Sequence, residues 1–433
     1  MIRFVILLLA AAAALPARAE TPEKPIIYVV ERSGGEHRRI APTTGTLPAH
    51  MEARPADATR IPVRRMTDIA QFPWARKWDG NPLLGLTNGY SKYSCVNVTG
   101  EYALAYGTQS GISALIRLSD GQFMGWPQIR LADKRKNGLG ETSAPRWDLS
   151  GRPGTELRLV ADGLFGSQNF IVDLDPLDNK QFDFVRGKYK IDMDQHGDQS
   201  ARWRPFNTGL GTIHLLDLES GKIIDTRLPN GGHDISPTGE WLLYYKPRPN
   251  RFYRVADLLR GTTETSVEMP TQSHGHDGWA FDRDGHEVYI AMDNKDDWYF
   301  AFDPAAGRRT NIIGMAELGW KTNYHVGRMI NPAKKGWFLM ATYSTEDPAE
   351  SWAANQIMMI EIRPAAERPR IWRLGPTYMR YGAAGKTKSY FTEAFASLDP
   401  TGNFVYWGCN WLGTDNLELY RMELPGDWNA KLQ

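Results

Sequence analysis

The sequence contains little cysteine, which excludes several kinds of site. Its 433 residues include two cysteines, Cys95 and Cys409, with no Cys-x-x-Cys pair and no cysteine/histidine spacing typical of zinc. In an oxidising compartment the two could form one disulfide bond between an early strand and the last repeat. The alternative is two separate buried thiols.

The sequence also lacks an excess of charge of either sign. Lysine and arginine together number 51, against 50 aspartates and glutamates. Binding to nucleic acid or to a membrane surface usually requires a basic excess, so neither partner is expected. No phosphate loop, dinucleotide fingerprint or Gly-x-Ser-x-Gly elbow is present, which argues against nucleotide chemistry and against a serine hydrolase.

Long hydrophobic runs are absent after the first residues. Residues 1–19 contain Arg3, a short apolar core and the ending Ala17-Arg18-Ala19, which is the pattern of a signal peptide cleaved after Ala19. The apolar core has about 12 residues, fewer than the roughly 20 that a membrane-spanning helix needs. We therefore expect a periplasmic or secreted monomer with no membrane span in the mature chain.

Glycine, proline and aromatic residues are plentiful, which indicates many turns and short strands. One element recurs about every 40 to 60 residues, the spacing of four-stranded propeller blades: a strand that ends in a polar residue, then a turn. Seven copies are found, at residues 114–121, 170–176, 213–221, 252–257, 298–304, 358–364 and 417–425.

A turn of the Asp-Pro-Thr-Gly kind precedes most of these copies and predicts the hairpin between the first two strands of a blade. The turns are Ser236–Gly239, Asp282–Gly285, Asn331–Gly336 and Asp399–Gly402, with weaker copies at Asn97–Gly100 and Asp148–Gly151. The sequence thus predicts an all-β fold, a seven-bladed β-propeller with WD40-like repeats over residues 86–433. The alternative is a β-sandwich or two separate β domains.

Residues 20–85 precede the predicted propeller. The strand Ile26–Val30 is predicted to supply the fourth strand of the last blade and so to close the ring. Residues 32–81 are rich in proline, arginine and threonine with little periodicity. They are interpreted as an irregular segment over the surface.

Three polar residues share one position relative to the turns. Counting back six residues from the first residue of each turn gives His276, His325 and Glu393 in three successive blades. Because the first strand of every blade lines the central channel, these side chains should converge near the axis. Imidazole and carboxylate suit a divalent ion such as zinc or manganese. His274 lies two residues before His276, on the same face of an extended chain.

The turns Ser236–Gly239 and Asp399–Gly402 resemble the repeat of TolB-type propellers, and residues 396–428 resemble it most. Secreted propellers of this kind include the oligogalacturonate lyases, which are similar in size. The resemblance implies a divalent metal held by histidines on the central face of the propeller. That family's site includes a glutamine near a pair of histidines, and no equivalent stands beside His325.

The same resemblance implies a reaction. A metal binds the carboxylate of a uronate unit and acidifies its α-proton, a base removes that proton, and the glycosidic bond breaks by elimination. His233 or His196 would be the base, and Arg328 would pair with a substrate carboxylate. Arg146 and Arg380 are weaker candidates for this pairing. The expected partner is an acidic oligo- or polysaccharide.

Two alternatives remain open. Histidines near strand ends often have structural roles, with hydrogen bonds to neighbouring backbone. The propeller could then be a non-catalytic TolB-like module that binds a protein or glycan in the cell envelope. Aromatic residues of the later blades fit either sugar stacking or packing between blades: Trp279, Trp298, Trp320, Tyr324, Trp407 and Trp411.

Overall fold

The structure is a computed structural model. It describes residues 30–40, 42, 46–71, 85–107, 113–125, 143–162, 169–173, 184–186, 191–192, 200–208, 211–245, 249–270, 276–345, 351–382, 389–414 and 416–432. The signal-peptide prediction falls on residues 1–19, outside this part of the chain. Across the described residues no helix has both the length and the apolar character that crossing a membrane requires.

The described strands form seven antiparallel sheets that follow one another along the chain. The first is β4 Leu86–Thr87, β5 Tyr102–Gly107, β6 Ser113–Arg117 and β7 Phe123–Gly125. The second is β8 Ser143–Trp147, β9 Arg158–Asp162, β10 Asn169–Asp173 and β11 Phe184–Arg186. The third is β12 Ile191–Asp192, β13 Trp203–Thr208, β14 Thr212–Asp217 and β15 Ile223–Pro229.

The fourth and fifth sheets also have four strands each in chain order. The fourth is β16 Gly232–Ile235, β17 Trp241–Tyr245, β18 Arg251–Arg254 and β19 Ser266–Glu268. The fifth is β20 Gly278–Phe281, β21 Glu287–Asp293, β22 Trp298–Asp303 and β23 Arg308–Gly314.

The sixth and seventh sheets have five strands each, because segments from before the propeller join their outer edges. The sixth is β24 Thr322–Gly327, β25 Trp337–Ser344, β26 Gln356–Glu361 and β27 Arg370–Pro376, with β1 Val30–Arg32 outside β27. The seventh is β28 Ser397–Leu398, β29 Phe404–Cys409 and β30 Glu418–Glu423, followed by β3 Pro62–Arg65 and β2 Ala53–Pro55.

The described helices are short and lie at blade edges. The α-helices are α1 Val255–Leu259, α2 Met315–Leu318 and α3 Trp428–Leu432. The 3-10 helices are Ile69–Gln71, Pro332–Lys334, Ala365–Glu367 and Ser389–Thr392.

Seven successive sheets confirm the predicted all-β propeller and are consistent with seven blades. The recurring strands of the sequence are the third strands of the blades, β6, β10, β14, β18, β22, β26 and β30. The predicted turns precede the second strands. At Asp399–Gly402, for example, the Asp399 carboxylate accepts hydrogen bonds from the backbone N–H groups of Asn403 and Phe404. Local turn chemistry therefore marks the hairpin between the first two strands of six blades.

Each blade is covered on both faces by its neighbours, so its inner strands are apolar on both sides. All residues of β21 and of β25 are buried. Trp279, Trp407 and Trp411 are buried as well, so these three rings pack inside the protein, as one of the two interpretations predicted. Trp320, by contrast, is 64% exposed. A ring that is buried between blades cannot stack on a sugar.

The ring closes differently from the prediction. β3 pairs with β30 in the last blade, with Val63 opposite Met422 and Arg65 opposite Tyr420. Val30, the described residue of the strand predicted for that place, pairs with Trp372 of the sixth blade. The prediction for Ile26–Val30 was therefore wrong, and residues 32–81 contain paired strands as well as irregular chain.

A buried ion pair explains why β3 takes the closing position. Arg65 Nη2 lies 3.0 Å from Glu418 Oε1 at the start of β30, and the Glu418 carboxylate also accepts a hydrogen bond from the Thr67 hydroxyl. Val63 and Ile61 are buried beside it. Arginine and proline made this segment look irregular in the sequence because its apolar residues are few.

The two cysteines are separate buried thiols, so the disulfide alternative is not realised. Cys95 precedes β5 in the first blade, and Cys409 ends β29 in the last. Burial raises the pKa of both thiols. Neither thiol is in the thiolate form that reacts with oxidants or metals.

The strand β1 is held by a cluster around His37. The His37 ring stacks on Trp352 at 4.1 Å between centroids, and its Nδ1 lies 2.8 Å from Glu31 Oε2. Its Nε2 lies 3.5 Å from Glu317 Oε1. Burial opposes protonation of the ring, but the two glutamates outweigh it and raise the pKa of His37 from 6.5 to about 9.

We expect the docking of β1 to depend on pH. Because the pKa is raised on folding, the stabilisation is complete below about pH 6.5 and is lost as the pH rises through about 9. The rate of amide hydrogen exchange in residues 30–40 should rise between pH 7 and 10 by more than the base-catalysed increase that an unstructured amide shows. His37→Gln should abolish this additional increase. His286→Gln, at an exposed histidine of the fifth blade, should leave it unchanged.

Candidate functional site

Three charged side chains from three blades meet at the centre of the ring. Lys92 Nζ of the first blade lies 3.7 Å from Asp234 Oδ2 of the fourth, and Arg328 Nη1 of the sixth lies 3.4 Å from Asp234 Oδ1. All three side chains are almost fully buried. Blades one, four and six are not neighbours, so their side chains can meet only near the axis. This network, Lys92–Asp234–Arg328, marks the central channel.

The chain between β4 and β5 enters that channel. The backbone N–H of Arg328 donates to the carbonyl of Ser91, 3.4 Å away. The Asn88 side-chain amide donates to the Phe395 carbonyl and to the Ser397 hydroxyl of the last blade. Residues 88–93, named here the axial segment, therefore contact the sixth and seventh blades as well as the fourth.

His276 and His325 lie side by side on adjacent blades. Their rings stack at 4.4 Å between centroids with 23° between their planes. His325 lies in β24, and His276 lies two residues before β20. His276 Nδ1 is 3.0 Å from the carbonyl oxygen of Tyr324, which places its proton on Nδ1 and its lone pair on Nε2.

Glu393 completes the three-blade arrangement. Its Oε2 lies 3.0 Å from His325 Nε2, and the carboxylate lies just before β28 of the seventh blade. His325 Nδ1 is buried and makes no hydrogen bond within the described residues. The structure thus brings together the three residues that share one position relative to the turns.

Burial controls the charge of this group. Burial and, to a smaller extent, the positive charge of Lys92 together lower the pKa of His325 from 6.5 to about 3. Burial and, to a smaller extent, the neighbouring His325 together lower the pKa of His276 from 6.5 to about 4. The pKa of Glu393 is raised, again chiefly by burial. Both imidazoles are neutral at pH 7, the form that binds metal ions or accepts protons.

Aromatic rings enclose His325. Tyr90 of the axial segment and Phe395 meet it edge to face at 5.4 and 4.5 Å, and Tyr343 stacks on it at 5.6 Å. The ring is completely buried. Such packing fixes the orientation of the imidazole and keeps water away from it.

The residues proposed for proton transfer and substrate binding lie at the same centre. His233 in β16 is 2% exposed, and its Nδ1 is 3.1 Å from the Gly231 carbonyl. The next residue in the chain is Asp234, which contacts Arg328. Arg328 is 4% exposed, so its guanidinium is part of the Lys92–Asp234–Arg328 network. Arg146 lies over the Tyr93 ring at 3.2 Å from its centroid.

Two predicted residues cannot be placed. His196 and His274 lie outside the described residues, so their part in the site stays a prediction. His274 lies two residues before His276, where the described chain resumes.

The donors do not form a closed ligand group. Among the described residues, the one group of three His, Cys, Asp or Glu whose ligand atoms all lie within 4.8 Å of one another is Asp282, His286 and Asp303. This group is at the edge of the fifth blade, where His286 is exposed and the two carboxylates accept backbone N–H bonds in turns. Such bonds are ordinary turn chemistry.

Sequence reasoning missed Lys92, Asp234 and Tyr90. Lys92 and Tyr90 belong to no repeated position, because the axial segment is unique to the first blade. The one signal that was available is a lysine inside the run Asn88–Cys95, which is otherwise uncharged. A buried lysine is rare unless it is paired.

The structural comparison finds propellers. The chain is similar to an oligogalacturonate lyase from Vibrio parahaemolyticus, with a TM-score of 0.56 at 12% identity over 88% of this chain and 98% of that one. It is similar to an oligogalacturonate lyase in complex with manganese, with a TM-score of 0.53 at 11% identity over 88% and 97%. No family model and no curated protein matches the sequence. At these identities the likeness shows the shared fold.

Proposed function

We propose that this chain is an exported propeller that cleaves an acidic, uronate-containing polysaccharide by elimination, with a divalent metal held by His276, His325 and Glu393. The observation that supports it most is the stacked pair of imidazoles on adjacent blades, with a carboxylate 3.0 Å from one of them. Two of the similar structures are lyases of oligogalacturonate, one of them in complex with manganese.

The donor chemistry fits a divalent ion. Two neutral imidazoles and a carboxylate suit manganese or zinc. His276, His325 and Glu393 would hold the ion, and two of their possible ligand atoms, His325 Nε2 and Glu393 Oε2, lie 3.0 Å apart. The buried Nδ1 of His325 makes no hydrogen bond within the described residues. His276, His325 and Glu393 therefore fit a divalent ion by the chemistry of their side chains, although their ligand atoms do not all lie within 4.8 Å of one another.

A metal bound here would neutralise the uronate carboxylate and stabilise the charge that develops when the α-proton leaves. His233 is the base in this proposal: its Nδ1 proton faces the Gly231 carbonyl, so its Nε2 accepts the proton. The released electron pair forms the C4=C5 double bond, the bond from C4 to the glycosidic oxygen breaks, and that oxygen takes up a proton. Arg328 pairs with a carboxylate of the substrate.

Polygalacturonate oligomers provide the test. The purified protein should release unsaturated uronate, seen as a rise in ultraviolet absorbance. A chelator should abolish the reaction, and manganese should restore it. Lack of any absorbance change with galacturonate, glucuronate and mannuronate oligomers, in the presence of manganese or zinc, would rule the lyase proposal out.

One observation favours a second function. His325, His233 and Arg328 are 0, 2 and 4% exposed, and the axial segment contacts His325 and Arg328, as expected for a structural centre. A non-catalytic propeller that binds a protein or glycan in the cell envelope, in the periplasm or outside the cell, has this property. Purified protein that contains no metal and turns over no uronate, yet binds cell-envelope glycan, would establish this function instead.

A further inference from the structure

A polar cavity of about 410 Å³ lies between the first and last blades, away from the axis. Three arginines line it, Arg64 of β3, Arg117 of β6 and Arg421 of β30. The other lining residues come from the chain around Gly100–Tyr102 and Leu118–Ser119, with Met51. The cavity therefore exists only because β3 closes the ring.

Two of these arginines stand directly opposite each other. Arg64 pairs with Arg421 in the register of β3 and β30. Like charges at opposite positions of neighbouring strands destabilise a sheet. The pair is at the centre of the closing strand. The backbone hydrogen bonds between β3 and β30 do not require an arginine there, so a neutral residue would serve the sheet equally well.

Within the described residues neither Arg64 nor Arg421 forms an ion pair with a carboxylate. Arg64 donates Nη1 to the Met51 carbonyl, and the Arg421 guanidinium lies 4.9 Å from the centroid of the Phe404 ring. Both are half-buried, so their charge is only partly screened by water. The repulsion between them is not offset by these contacts.

The third arginine and the nearby acid do not balance this charge. Arg117 is bound by Asp120, with Nε 3.0 Å from Oδ1, so this pair adds no net charge. Glu101 is exposed and accepts a hydrogen bond from the Thr99 hydroxyl. The cavity thus presents two half-buried guanidinium groups and one exposed carboxylate.

We infer that this cavity is a binding site for an oxyanion, a carboxylate or sulfate group, held between Arg64 and Arg421. A guanidinium presents paired N–H donors that match both groups. A bound oxyanion removes the repulsion between the two arginines. The anion could come from a sugar acid or from inorganic sulfate, and the experiment separates these sources.

The site lies at the far end of the strands from the histidines. It is built by the turn before β5 and the turn between β6 and β7, whereas His276 and Glu393 precede the first strands of their blades. It is therefore a second site and does not depend on the proposed function. No axial residue is changed in its test.

Thermal unfolding and calorimetric titration test this site, with sodium sulfate and sodium galacturonate as probes and sodium chloride at equal ionic strength as the reference. Wild-type protein should melt higher with either or both oxyanions than with chloride. Arg421→Gln and Arg64→Gln should each weaken the binding at least tenfold. Without an oxyanion, Arg421→Gln should melt no lower than wild type, because the like-charged pair is gone. Arg260→Gln, at an exposed arginine of the fourth blade, is the matched control.

The response to the two probes identifies the source of the anion. If galacturonate alone binds, the site is assigned to the carboxylate of a sugar acid. If sulfate alone binds, it is assigned to a tetrahedral oxyanion. If both bind, the site accepts both kinds of oxyanion. The inference is overturned if neither probe raises the melting temperature above the chloride reference. It is also overturned if both Arg64→Gln and Arg421→Gln bind as wild type does.

Discussion

Replacing Asp234 with alanine should lower the free energy of unfolding by about 3–5 kcal/mol, because the two buried cationic groups would then lack a counter-charge. Asp234 is 1% exposed and lies within 4 Å of two cationic groups, those of Lys92 and Arg328. Urea unfolding followed by circular dichroism measures the change. The midpoint should move to lower denaturant with the slope unchanged.

An exposed ion pair is the matched control for this prediction. Asp427 and Lys431 lie 2.9 Å apart, but their side chains are 61 and 54% exposed. Asp427→Ala should leave the unfolding midpoint almost unchanged, because water screens an exposed ion pair. A cost for Asp234→Ala no larger than that of Asp427→Ala would show that the three blades are not joined at the axis.

Replacing His276 or His325 with alanine should lower turnover of a uronate oligomer at least about 100-fold, since each removes a donor from the proposed centre. His276 is the cleaner site because it is partly exposed, whereas His325 is completely buried. His325→Gln is the second variant at that position, and it keeps a polar side chain of similar length. Folding of each variant is checked by its melting temperature.

His286→Ala is the control for both histidines. His286 lies in the same blade as His276, but its side chain is exposed and it belongs to the group with Asp282 and Asp303 at the edge of that blade. Turnover of this variant should equal that of wild type. Loss of turnover in His286→Ala, with His276→Ala active, would move the functional centre to the edge of the fifth blade.

The blade pattern was predictable because its signals are local. Proline and glycine set the turn, and an aspartate or asparagine bonds to backbone a few residues further on, as Asp282 does with three successive N–H groups. Six of the blades repeat this chemistry. Counting from the turns was therefore enough to align His276, His325 and Glu393 on three blades. Their chemical roles remain predictions.

The closing of the ring was not predictable from the same signals. β3 pairs with β30 from more than 350 positions away in the sequence. One of its two buried residues is Arg65 itself, and it begins at Pro62, so its apolar periodicity is weak. The stronger apolar run before Val30 looked like the better closing strand, but β1 joins the sixth blade. Which edge a strand joins depends on distant partners such as Glu418.

The axial network was unpredictable for a related reason. Lys92, Asp234 and Arg328 come from blades that are not neighbours, and each occupies a different position relative to its turn. A repeat alignment compares equivalent positions only. The contact between them depends on the shape of the whole ring.

The central claim is that His276 and His325 form one functional centre on the propeller axis. Crystals soaked in manganese, with anomalous diffraction collected near the manganese edge, test it most directly. The account predicts an anomalous peak within bonding distance of His276 and His325. A peak at Asp282, His286 and Asp303 alone, or no peak at His276 and His325, would contradict it.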